Sequence, residues 1–134
     1  GDFKDDISMQ PSYKEQEEIF HHFVESYPNI TCMGRHVRYV HSGSQNSLKA
    51  FMRYQGECFE SKLFTFNILD REGGGDAFAS GLIYAYMNNY EPMDMINFAV
   101  ASSVLKHTIH GDANITDDAF AIKEIMNMSY DIKR

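Results

Sequence analysis

Three consecutive glycines, Gly73, Gly74 and Gly75, run directly into Asp76, and no other stretch of the chain restricts its fold so tightly. Ahead of them, the run from Leu63 to Leu69 reads as a strand. Behind them, Phe78, Leu82, Ala85 and Tyr86 recur at helical spacing. Strand, glycine turn and helix in this order leave backbone N–H groups unobstructed by side chains, with the positive end of a helix dipole behind them. Such a turn is suited to hold an anion, phosphate above all. Asp76 then places a carboxylate at the rim of that turn. A negative group beside a phosphate site is costly unless it has a task, and the fitting task is to accept a proton from a hydroxyl that attacks phosphorus. The plain alternative is a tight turn that opens a helix. No Gly-Lys-Ser/Thr follows, so this is not a Walker loop.

The stretch LDREGGGDAFASGLI, from Leu69 to Ile83, resembles the C-terminal signature of the ribokinase/PfkB carbohydrate kinases, written D-x-x-G-A-G-D-x-F. The Asp-Arg form of the signature is followed by FAVASSVLKHTI, Phe98 to Ile109, and by Gly111-Asp-Ala-Asn114. Together these look most like the 2-keto-3-deoxygluconate kinase branch. The resemblance runs from Tyr27 to Met128, is strong between Leu69 and Asn114, and is loose before Gly34.

That resemblance implies an α/β chain forming the C-terminal part of a ribokinase-like doubly wound fold. Residues 1–134 would be the nucleotide-binding and catalytic portion of the kinase, a fragment without the N-terminal acceptor-binding half and its lid. The implied activity is transfer of the ATP γ-phosphoryl group to a primary hydroxyl, that of 2-keto-3-deoxygluconate. In this reading Asp76 binds the acceptor hydroxyl and deprotonates it, while Gly73, Gly74 and Gly75 hold the developing charge. Lys106, His107, Gly111 and Asn114 fall in the segment implied to close under the adenine base, with Gly73 and Gly75 also facing nucleotide. Mg²⁺ would travel with ATP. Asp70 stands where the family places an acid near a monovalent cation such as K⁺, or near the phosphates; a turn-capping aspartate is the alternative. Arg71 could meet a substrate carboxylate bidentately, or pair on the surface with Glu72 or Asp70. Arg35, Ser42 and Asn46 resemble a pattern of the keto-deoxy-sugar branch that stands where other relatives carry a Gly-rich nucleotide loop, with Asn46 implied to cap or to contact nucleotide; the other reading of Ser-Gly-Ser-Gln-Asn is simply a turn. Two further functions stay open: a truncated, non-catalytic nucleotide-binding or oligomerisation module, and a kinase for fructose, ribose or a nucleoside.

Composition narrows the partners. A net charge of −7 and a pI near 5.2 leave no basic stripe for nucleic acid. No apolar run approaches the roughly 20 residues that span a bilayer, and nothing resembles a signal peptide; the expected location is the cytoplasm. Cys32 and Cys58 read as reduced core thiols, although a disulfide between them is compatible with the sequence. His107, His110 and Asp112 look superficially like metal ligands but lack the further convergent donors that zinc needs. The eight methionines read as core filler. Apolar faces left without the missing half point to a homo-oligomer.

Along the chain, Tyr13 to Tyr27 reads as an amphipathic helix stopped by Pro28. Ile30 to Met33 and His36 to His41 read as two short strands, and Leu48 to Tyr54 with Cys58 to Phe66 as a hairpin turning at Gln55-Gly-Glu57. Three helices are expected over 75–89, 92–108 and 117–128, with Pro92 at a first helical position and Thr116 to Asp118 capping the last.

Overall fold

A computed structural model describes residues 13–69, 73–108 and 114–128. Helix α1 (Tyr13–Ser26) precedes strands β1 (Cys32–Ser42), β2 (Gln45–Tyr54), β3 (Glu57–Glu60) and β4 (Phe64–Asn67). Helices α2 (Gly74–Met87), α3 (Pro92–Thr108) and α4 (Ile115–Asn127) follow. The α/β class expected from the sequence holds. The described strands all pair antiparallel around β2, which takes β1 on one side and both β3 and β4 on the other.

Where the expected two short strands would break, β1 runs on without interruption through Gly34. The reason is packing. A Cβ at Gly34 would stand 3.0 Å from Leu82 Cδ2 and 3.4 Å from Phe78 Cζ, so the glycine lets α2 lie close against the strand. The β1–β2 connection turns through Gly43 at φ 48. The β2–β3 hairpin turns at Gln55 (φ 51) and Gly56 (φ 84), a pair of left-handed residues that matches the natural strand twist.

The expected long second arm of that hairpin is divided. Phe51 pairs with Glu60 and Leu48 with Phe64, so Ser61, Lys62 and Leu63 stand opposite Lys49 and Ala50. One extra residue makes a bulge. Ser61 holds it in place, its N–H donating to Ala50 O (2.8 Å) while its Oγ accepts from Ala50 N (2.8 Å). Lys62 N turns away and donates to Asn97 Oδ1 of α3 at 2.9 Å.

Alternation along the strands divides their side chains between two faces. Leu48, Ala50, Met52, Phe64 and Phe66 join Ile96, Phe98, Val100 and Val104 of α3 and Ile122 of α4 in the main core. Helix α3 is buried nearly all round, as a helix sandwiched between a sheet and two further helices must be. Each such side chain stabilises the fold by about 1.5–3 kcal/mol relative to exposure. Gly81 of α2 permits the α2–α3 approach, since a Cβ there would stand 2.4 Å from Ser102 Oγ and 3.2 Å from Ala99 Cα. On the other face α1 lies against β2, with Phe20 buried. Cys32 and Cys58 are free thiols.

Candidate functional site

The glycine turn is delivered by β4 and anchored from below by the end of α3. After Asn67, Ile68 N donates to Ser44 O (2.8 Å) and Leu69 N to His107 O (2.7 Å). Asp70 and Arg71, with Glu72, lie outside the described residues. The chain is next described at Gly73, left-handed at φ 79, whose carbonyl accepts the first helical hydrogen bond of α2 from Ala77 N (2.9 Å). The N–H groups of Gly74, Gly75 and Asp76 therefore precede any carbonyl that α2 could offer them. Gly73 has no side chain with which to cap them. Gly75 and Asp76 are exposed, and a Cβ at Gly75 would meet nothing within 4 Å. The result is an open turn of amide donors with a carboxylate on its rim.

Its underside is closed. A Cβ at Gly74 would stand 2.2 Å from His107 Nε2 and 2.5 Å from His107 Cε1. One at Gly73 would stand 2.6 Å from Lys106 Cε. Glycine is thus required at 73 for its left-handed conformation, since Lys106 Cε belongs to the far end of a flexible side chain, and at 74 for space beside the buried His107 ring. His107 is fully buried and stacks parallel on Phe66 (centroids 6.0 Å apart, 15° between planes). Arg38 Nη2 lies 3.1 Å from His107 Nε2. A guanidinium only donates, so this imidazole nitrogen is the acceptor. On the same face of β1, two residues back, His36 packs its ring on Phe78 at 4.8 Å. Burial first, then Arg38, His107 and Arg35, push the His36 pKa below the usual histidine value.

Of the residues singled out from the sequence, Gly73, Gly74, Gly75, Asp76, Lys106 and His107 are brought together. Lys106 and His107 lie in the last turn of α3, within the helix expected over 92–108. His107, wholly buried beneath Gly74, has no exposed surface with which to meet a nucleotide in this arrangement. Asn114 caps α4 through its Oδ1, which accepts from Thr116 N (3.0 Å) and Asp117 N (3.3 Å); the helix begins two residues before the expected start. Asn46 lies within β2 with no exposed surface, its Nδ2 donating to Ser44 O (3.3 Å) and its Oδ1 buried without a partner. Arg35 and Ser42 are exposed on β1. Gly111, His110 and Asp112 lie outside the described residues. Among the described residues no three His, Cys, Asp or Glu side chains converge to hold a metal, and no helix is long and apolar enough to cross a membrane.

Sequence reasoning passed over Arg38 and His36. The signal was available in the alternation Gly34, His36, Arg38, which puts three residues on one face of β1. Arg35, chosen instead, alternates to the opposite face.

No family model matches the chain. It is similar to 5-dehydro-2-deoxygluconokinase of Clostridium perfringens, 32% identical over 71 residues, which are 53% of this chain and 21% of that protein. The same-named protein of Clostridium botulinum is 33% identical over 70 residues, covering 52% and 20%. Among solved structures, 2-dehydro-3-deoxygluconokinase of Thermotoga maritima superposes with a TM-score of 0.75 at 28% identity, over 85% of this chain and 34% of that one. A PfkB family carbohydrate kinase of Listeria grayi superposes with a TM-score of 0.69 at 34% identity, over 83% and 34%. The matches thus span about a fifth of the curated relatives and a third of the solved kinases. The likeness to PfkB carbohydrate kinases read from the glycine signature is borne out, and with it the ribokinase-like fold assignment.

Proposed function

We propose that this chain is the C-terminal, nucleotide-binding and catalytic portion of an ATP-dependent sugar kinase whose acceptor is a keto-deoxy sugar acid. One observation carries the reading: an exposed carboxylate, Asp76, stands in the first turn of α2 at a left-handed glycine turn whose N–H groups precede any carbonyl of that helix. The similarity to carbohydrate kinases supports it. Asp76 accepts the proton of the acceptor's primary hydroxyl as its oxygen bonds the γ-phosphorus. The bond from that phosphorus to the β–γ bridging oxygen breaks, and ADP leaves with the electron pair. The amides of Gly74, Gly75 and Asp76 hold the equatorial oxygens, where preorganised donors contribute about 2.7–4 kcal/mol each. Lys106 supplies positive charge beside Gly73. Mg²⁺ would be held by the phosphates and water, with few protein ligands, and Asp70 would serve a monovalent cation or the phosphates.

The acceptor is inferred from the relatives, whose names cite two dehydro-deoxygluconates; both are sugar acids. The test is ADP release by the kinase polypeptide that carries this chain, with each of these acids, fructose and ribose as acceptors. Turnover with a keto-deoxy sugar acid well above the neutral sugars is expected. Equal use of all four removes the acidic-acceptor reading, and no ATP-dependent transfer removes the kinase reading.

A further inference from the structure

His107 touches both arms of the glycine turn at once, and the proposed chemistry does not use it. Its carbonyl accepts from Leu69 N (2.7 Å) where the chain leaves β4, and its ring fills the space that a side chain at Gly74 would need. Phe66 stacks on one side of the ring. Arg38, 69 residues away in sequence, approaches Nε2 at 3.1 Å. Because a guanidinium cannot accept, Nε2 must carry its lone pair and Nδ1 the proton. A protonated imidazole would turn an N–H toward a permanent cation, so this contact is made by the neutral ring.

We infer that His107, oriented by Arg38, is a positioning residue that fixes the glycine turn, so that the amides of Gly74 and Gly75 point at the transferring phosphoryl group. This rests on the phosphoryl-transfer reading of the turn. The backbone here has unusual freedom: three glycines in a row, the first left-handed, with no capping side chain. Donors must stay aimed to stabilise charge, and a displacement of about 1 Å is enough to lose about 10²-fold in rate. A ring wedged under Gly74 and tied to both the strand leading in and the neighbouring β1 supplies the missing rigidity.

Two measurements separate this inference from the reading on which it rests. In the 134-residue chain, long-range proton–nitrogen spectra of the His107 ring should show a protonated Nδ1 and a bare Nε2. Arg38→Ala should then shift the Gly74 and Gly75 amide resonances and speed their hydrogen exchange. A protonated Nε2, or amides indifferent to Arg38, would overturn the strut whatever the protein catalyses. In the kinase polypeptide, His107→Leu should lower kcat by about 10²-fold while KM for ATP moves within about threefold. His107→Gln, whose Oε1 can accept from Arg38 as Nε2 did, should recover most of that loss at a melting temperature like that of the leucine variant. Parent-like turnover in His107→Leu, or a glutamine variant no better than it, refutes the positioning role. If the parent transfers no phosphoryl group, the kinase reading fails, and the spectra alone decide whether His107 holds the turn.

Discussion

At the scale of single residues, the three glycines are not equivalent. Gly74 has His107 Nε2 at 2.2 Å from where a methyl would stand, whereas Gly75 has nothing within 4 Å. Gly74→Ala should therefore destabilise the chain by about 1–3 kcal/mol as His107 is driven off Arg38 and Phe66. Gly75→Ala, in the first turn of α2, should leave stability unchanged or slightly raised. Paired chemical denaturation curves decide it, and equal losses would mean that His107 does not fill the space under the turn. His36 gives a second expectation. Its pKa is lowered, by burial first and then by Arg38, His107 and Arg35, so the folded chain binds that proton more weakly than the unfolded chain does. Its contribution is complete above the unfolded value of about 6.5 and is lost as pH falls toward the lower folded value. His36→Gln should flatten the decline in unfolding free energy between about pH 7 and 5; an unchanged slope would assign the acid sensitivity elsewhere. The glycines and Asp76 could be read from sequence because their spacing is local. The Arg38–His107 contact could not, since it joins residues 69 apart through the pairing of a strand and a helix end.

Among the elements, those with local signals came out close to expectation: α1 before Pro28, the turn at Gln55 and Gly56, and α3 from Pro92 to Thr108. The departures have a common cause, which is that neighbours decide where an element is interrupted. Gly34 looks like a break but is the contact point for Leu82 and Phe78 in an unbroken β1. Cys58 to Phe66 looks like one strand but is divided by a bulge that Ser61 fastens to Ala50. Helix α4 begins at Ile115 because Asn114, the residue before it, caps the amides of Thr116 and Asp117, while Asp118 Oδ2 accepts from Asn114 N (2.9 Å). That cap can be tested. Asn114→Ala should cost about 1 kcal/mol, as loss of an N-cap does, and should loosen α4, whose Ile122 is fully buried in the main core. A melting temperature equal to that of the parent would show that the aspartates alone hold the helix start.

For the whole molecule, the folded chain joins two features that lie apart in sequence, the glycine turn and the end of α3, above one apolar core. Above that core, Gly75 and Asp76 stand exposed at the start of α2, with Gly74 buried beneath them. The chain spans about a third of the solved kinases it matches. Apolar side chains remain exposed on its outer surface, among them Ile83, Tyr86 and Met87 of α2. Under the proposed function, proton acceptance and phosphoryl binding fall to this chain. Asp76 is where these meet. Asp76→Asn keeps the side chain's shape and removes its ability to take a proton. In the kinase polypeptide it should lower kcat by ~10²–10⁴ while ATP still binds, since a negative charge near the phosphates has gone. Turnover within a few-fold of the parent would contradict the account, leaving Asp76 as a residue that merely opens a helix.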